Sequence, residues 1–84
     1  MRNIKYVIVD GSAIVFSAAI AHSDMVRHNQ KAEGAGFVRF YPSKNSWGED
    51  IIIAKCYGSS FSLGVHSREK EDSTIVTQQI CGNL

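Results

Sequence analysis

The stretch IKYVIVDGSAIVFS (Ile4 to Ser17) reads as two runs of β-branched and aromatic residues around Asp10-Gly11. Asp-Gly between such runs marks a two-residue hairpin turn of type I′, in which both central residues take positive φ. That turn places Val9 opposite Ser12, Val7 opposite Ile14 and Lys5 opposite Phe16. Ile4, Tyr6, Ile8, Ala13, Val15 and Ser17 fall on the other face. Both faces are largely apolar, whereas a hairpin with one wet face alternates. The pattern predicts a hairpin covered on both sides by a helix, a loop or another subunit.

Ser17 to Gln30 changes character. Ala18, Ala19 and Ala21 favour a helix of one to three turns, with Ser17 or Ser23 as caps. Lys31 to Gly36 reads as a loop punctuated by glycine. Gly36 to Pro42 is a short strand with Phe37, Arg39 and Tyr41 on one face and Val38 and Phe40 on the other. Pro42 ends it or lies at a sheet edge. Ser43 to Asp50 is a polar loop around Trp47, expected to be the most mobile segment.

DIIIAKCYGSSFSLGVHSREKED (Asp50 to Asp72) places two apolar runs around Gly58-Ser59, a pair suited to a type II′ turn. In that register Cys56–Phe61, Ala54–Leu63 and Ile52–Val65 form a wholly apolar face. Tyr57–Ser60, Lys55–Ser62, Ile53–Gly64 and Ile51–His66 form a mixed one. A slip by one residue scrambles this division. Ser67 to Leu84 then reads as a helix. Ser67 caps it, Glu69, Glu71 and Asp72 complement its dipole, Ile75, Val76 and Ile80 form its stripe, and Gly82 stops it.

Composition narrows the function classes. The chain has 84 residues and a net charge of +1, so it carries no strong field for nucleic acid or membrane. A single domain of this size buries only about 60% of its unfolded surface. Such domains commonly add a disulfide, a metal or oligomerisation. The two cysteines, Cys56 and Cys81, make no disulfide framework, and with His22, His28 and His66 they match no zinc spacing. A homo-oligomer is therefore expected, with no metal and no cofactor. Met1 to Ala21 has the outline of a signal peptide, but Asp10-Gly11 interrupts its apolar run. Together with free thiols this points to the cytoplasm, and no run reaches the ~18 apolar residues of a membrane span.

Candidate chemistry is sparse. His22, Ser23 and Asp24 are too close in sequence to form a triad; they read as a helix cap or as hydrogen-bonding groups at a pocket lip. Cys56 falls on the apolar face and reads as an inert core thiol. None of the glycines forms a phosphate-binding motif. No catalytic residue is assigned, and the protein is expected not to be an enzyme. Phe37, Arg39 and Tyr41 interleave aromatic and cationic groups on one strand face, a base-stacking pattern or a set of core aromatics with a snorkelling arginine. Lys55, Tyr57, Ser60 and Ser62, followed by Arg68 near a helix start, make either a phosphate-favouring patch or a solvated face.

HSDMVR, AGFVRF and CYGSSFSLGVHSREKED together resemble small proteins encoded by phages and mobile elements. The resemblance rests on Gly36-Phe37-Val38, Tyr57-Gly58-x-Ser60-x-Ser62-Leu63, and Ser67-Arg68 with Glu71-Asp72, and spans about half the chain. It implies an anti-defence inhibitor, of which some are oligomers that sequester nucleotide signals without cleaving them. The resulting expectation is an α+β domain with an antiparallel sheet of about five strands, two hairpins and a single strand. It carries a short helix after the first hairpin and a longer C-terminal one. It would capture a small nucleotide-like ligand through Arg68, Lys55, Arg39, Tyr57, Tyr41, Ser60 and Ser62, with His22 and Asp24 at the lip. The alternative is an inhibitor that masks a host protein through its sheet edge or an apolar patch.

Overall fold

The computed structural model describes residues 4–81. In chain order these form β1 (Ile4–Val9), β2 (Ser12–Ser17), a 3-10 turn (His22–Met25), β3 (Ala32–Lys44), β4 (Asp50–Tyr57), β5 (Ser59–Ser60), β6 (Val65–His66), α1 (Glu69–Val76) and a π-helical turn (Thr77–Cys81). The first four strands make one antiparallel sheet in the order β2-β1-β3-β4; β5 and β6 pair separately. The α+β class stands, with four strands in the main sheet and a small two-stranded sheet beside it. No helix among the described residues is long and apolar enough to cross a membrane.

The first hairpin has the expected register, with Val9 opposite Ser12, Val7 opposite Ile14 and Lys5 opposite Phe16. Asp10 and Gly11 take φ of 52° and 76°, as the turn requires. Both faces are covered. On one, Tyr6, Ile8, Ala13, Val38, Ala54 and Cys56 pack with Val76 and Ile75 of α1. On the other, Val7, Val9, Phe16, Ala32 and Ala35 pack with Met25 and Val26 after the hairpin and Leu63 and Val65 near β6.

The second half of the sheet departs from the sequence pattern. The short strand at 36–42 is the middle of a 13-residue strand, and Gly34 and Gly36 lie inside it. A Cβ at Gly34 would collide with the Asp72 carboxylate, and one at Gly36 with the Tyr57 carbonyl. These glycines permit close approach and do not end a strand. Pro42 pairs with Ile52 beyond Val38, the last β3 residue opposite β1, so its missing N–H leaves no ladder to β1 broken.

The expected Gly58-Ser59 hairpin does not form. β4 pairs with β3 from Phe37↔Tyr57 to Lys44↔Asp50, and the connection is a five-residue loop in place of the polar segment Ser43–Asp50. Asn45 builds that loop: its Oδ1 accepts from the N–H of Trp47 (2.9 Å) and of Glu49 (3.0 Å). At Gly58, φ 82°, the chain swings away from the sheet. Phe61, expected in the core, is fully exposed, and Leu63 and Val65 join the opposite face from the one assigned to them.

Both helical segments form, but not with the caps the pattern predicts. The first is a single 3-10 turn whose N-cap is Ala21, and neither Ser17 nor Ser23 caps it with a side chain. The second begins after Arg68 without a Ser67 cap. Instead the Asp72 carboxylate accepts from the Arg68 N–H at 3.0 Å, half of a capping box with the acid one residue further on. Ile80 is largely exposed, so the apolar stripe reduces to Ile75 and Val76. The expected Gly82 stop and the Cys81 thiol lie outside the description.

This C-terminal segment covers part of both sheet edges. Ser73 Oγ and Thr77 Oγ1 accept from the outward N–H groups of Cys56 (2.8 Å) and Ala54 (2.9 Å) on β4. At the other edge the Gln79 side-chain amide accepts from Ala13 N–H (2.8 Å) and donates to Ala13 C=O (2.9 Å), as a paired strand would. Unpaired strand edges invite association, and these contacts blunt them.

Candidate functional site

Among the described residues β3 outlasts β1, and beyond Val38 it continues with β4 as a two-stranded ribbon. Strand alternation puts Phe37, Arg39 and Tyr41 on one face, next to Ile53, Lys55 and Tyr57 of β4. Arg39 and Lys55 stand directly opposite each other. Each cation leans onto a diagonal tyrosine: the Arg39 guanidinium is 5.2 Å from the Tyr57 ring centroid, and the Lys55 ammonium 5.7 Å from that of Tyr41. Cation–π contacts of this kind leave the charge open to solvent and to ligands.

A groove of about 760 Å³ follows this face and the outer edge of β4 as far as α1. Arg39, Tyr41, Ile53, Lys55 and Tyr57 line the sheet side, and Glu69 and Lys70 the helix side. Among the described residues, no ion pair engages Arg39, Lys55 or Lys70. Like charges opposite one another destabilise a ladder, and Arg39 and Lys55 stand in that arrangement.

The other residues singled out in the sequence lie elsewhere. Arg68 is consumed by structure: its Nε donates to Asp72 Oδ1 at 3.0 Å, and its NH1 reaches Glu71 at 3.3 Å. Asp72 is completely buried and also takes a 2.5 Å bond from the Tyr6 hydroxyl. Burial, reinforced by that bond, holds the Tyr6 phenol well above its ordinary pKa. Ser60 is buried and accepts from Leu63 N–H at 3.2 Å, which ties its own loop together. The sequence had placed Ser60 and Ser62 beside Tyr57 and Lys55; the failed Gly58-Ser59 hairpin separates them. Asp24 is exposed on the 3-10 turn and lines no described cavity.

His22 and Ser62 line a second, smaller groove with Lys5, Phe37 and Phe61. His22 is 3% exposed, with Nε2 2.8 Å from the Gly36 carbonyl oxygen. A carbonyl only accepts, so the proton is on Nε2. The ring sits edge-on to Phe16 and Phe37, and burial lowers its pKa.

Cys56 is buried, and burial pushes its thiol up to about 11. A thiol in that state is a poor nucleophile. No group of three or more His, Cys, Asp or Glu side chains suited to a metal ion occurs among the described residues. The sequence missed Lys70, whose place beside the ribbon depends on where α1 crosses β4. No protein-family model, curated protein or solved structure matches the chain.

Proposed function

We propose that this protein is a non-enzymatic binding protein that captures a small nucleotide-like anion in the groove beside β4. Arg39, Lys55 and Lys70 hold the phosphate, and Tyr41 or Tyr57 stacks the base. The observation that carries this reading is the Arg39–Lys55 apposition, two cations face to face with aromatic neighbours and, among the described residues, no acid paired to either. The Cys56 thiol that lines this groove is buried and protonated, which supports capture over thiol chemistry there. The phage-type resemblance of the sequence supports anti-defence as the setting of such capture: sequestration of a nucleotide signal by a homo-oligomer in the host cytoplasm. The 85%-exposed Trp47 is a surface available for self-association.

Native mass spectrometry of freshly purified protein reports subunit number and retained ligand together. Calorimetric titration with adenosine monophosphate then tests the site. Arg39→Gln combined with Lys55→Gln is expected to weaken binding by at least tenfold. Unchanged affinity in that variant overturns the assignment.

A second reading rests on Trp47, held out at the ribbon tip by the Asn45 loop. Here the ribbon end masks a host protein. A stoichiometric protein partner, lost on Trp47→Ser while nucleotide binding is absent, favours that reading over capture.

A further inference from the structure

The two grooves belong to one continuous face. Lys5, Phe37 and Tyr57 are lateral neighbours across β1, β3 and β4. Phe37 and Tyr57 stack with ring centroids 5.7 Å apart and planes inclined by 26°. Tyr57 borders the 760 Å³ groove and Phe37 the 440 Å³ one, so this stacked pair is the ridge between them. Both volumes suit a small ligand. Gly58 keeps the ridge low: a Cβ there would stand 3.1 Å from the Phe37 ring, and its φ of 82° disfavours any side chain.

The second groove repeats the chemistry of the first. Lys5 supplies a cation, in contact with the Ile20 carbonyl at 2.8 Å and in no ion pair among the described residues. Phe61 supplies an aromatic ring with no covering at all. His22, with its proton on Nε2, leaves Nδ1 as an acceptor, and Ser62 adds a hydroxyl. Strand spacing and rise put the Lys5 and Arg39 backbones about 8 Å apart, over twice the ~3.4 Å rise of one stacked nucleotide.

We infer that the ligand has two nucleosides joined by a phosphodiester and splayed across the Phe37–Tyr57 ridge, one base in each groove. This rests on the reading of the β4 groove as a nucleotide site and extends it to the class of ligand. Tyr57 or Tyr41 takes the first base and Phe61 the second. Arg39, Lys55 and Lys5 face the linking and terminal phosphates. Base–aromatic stacking tolerates every base, so the ridge selects for two-base length and not for sequence.

The test compares adenosine monophosphate, the linear dinucleotide pApA, its cyclised form and a tetranucleotide of adenylate, each titrated calorimetrically into the wild type and into Phe61→Ser. Phe61 is fully exposed, so its replacement leaves the fold intact. A two-base ligand is expected to bind at least tenfold tighter than the mononucleotide. Phe61→Ser is expected to remove most of that gain and leave the mononucleotide unchanged. Preference between the linear, cyclised and longer forms identifies the source of the shared chemistry. Equal affinity for one base and two, or a gain that survives Phe61→Ser, overturns the two-groove ligand and spares the mononucleotide site. No binding of any of the four overturns both.

Discussion

The two ends of the main sheet are built from the same kinds of residue and present opposite surfaces. At the closed end β1 lies between two strands, both its faces are covered, and the edge of β2 is taken by Gln79. At the open end the β3–β4 ribbon runs on past the described part of β1, and Arg39, Tyr41 and Lys55 on it are exposed. Arginine shows the contrast. Arg68 gives its guanidinium to Asp72 and Glu71 and is part of the framework. Arg39 rests on Tyr57 and meets Lys55 across the ladder. A cation that closes a buried network is lost to ligands; one left opposite another cation is available to them. The ribbon repeats the lesson within itself, because Lys44 and Asp50 stand directly opposite as a matched pair.

Breaking the closed end should have the largest effect. Asp72→Ala removes the buried acceptor that Arg68 and Tyr6 share, leaving Tyr6 with Ser67 and Arg68 with the exposed Glu71. Hydrogen bonds to a charged group contribute about 1.5–3 kcal/mol each, a large part of the stability of a domain this small. Urea unfolding should show a midpoint lowered to match. A loss within 1 kcal/mol, on the order of a surface pair, would mean that the Arg68–Asp72–Tyr6 network is not the latch of the closed end.

That network was only partly legible in the chain. Arg68 and Asp72 have the i, i+4 spacing of a helical pair, but Tyr6 is 66 residues from Asp72 and no local signal connects them. The first hairpin could be read because Asp10-Gly11 determines its own φ angles and hence its register. The second could not. Gly58-Ser59 has the chemistry of a turn, yet Gly58 spends its positive φ on leaving the sheet beneath Phe37. The real turn is closed by the Asn45 side chain and by Gly48 at φ 80°, inside a segment that polarity alone marks as loop. Gly34 and Gly36 are ambiguous for a related reason: close approach to Asp72 and to Tyr57 depends on elements far away in sequence. Alternation did put Arg39 with Tyr41, and Lys55 with Tyr57, on shared faces. Only the β3–β4 pairing brings the two pairs together, and the same misread hairpin accounts for the displaced Ser60 and Ser62.

Alkaline pH offers an intermediate perturbation of the closed end. The Cys56 thiol is raised from 9.0 to about 11 by burial, so between those values the unfolded chain loses a proton that the folded chain keeps. The stability associated with the protonated thiol is complete below pH 9 and falls as pH rises toward 11. Two units correspond to at most about 2.7 kcal/mol. The Tyr6 phenol, also raised, adds to the loss above pH 10. Cys56→Ala should flatten the decline between pH 9 and 10 when stability is followed by urea unfolding. An equally steep decline in that variant would show that the thiol does not titrate on unfolding.

The smallest effect belongs to the open end and separates function from stability. Lys55→Gln removes one of two opposed cations, so the folded protein should be as stable as the wild type or slightly more so. Any gain should vanish in 1 M salt, where the screening length falls to about 3 Å. Nucleotide affinity should move the other way and fall about tenfold at low salt, since a charge-assisted contact is gone. Asp50→Asn is the matched control: it breaks the attractive pair at the far end of the same ribbon, should lower stability slightly, and should leave nucleotide affinity alone. If Lys55→Gln instead destabilises the fold and leaves affinity untouched, then Lys55 serves the ribbon as Arg68 serves the core, and the contrast between the two ends of the sheet disappears.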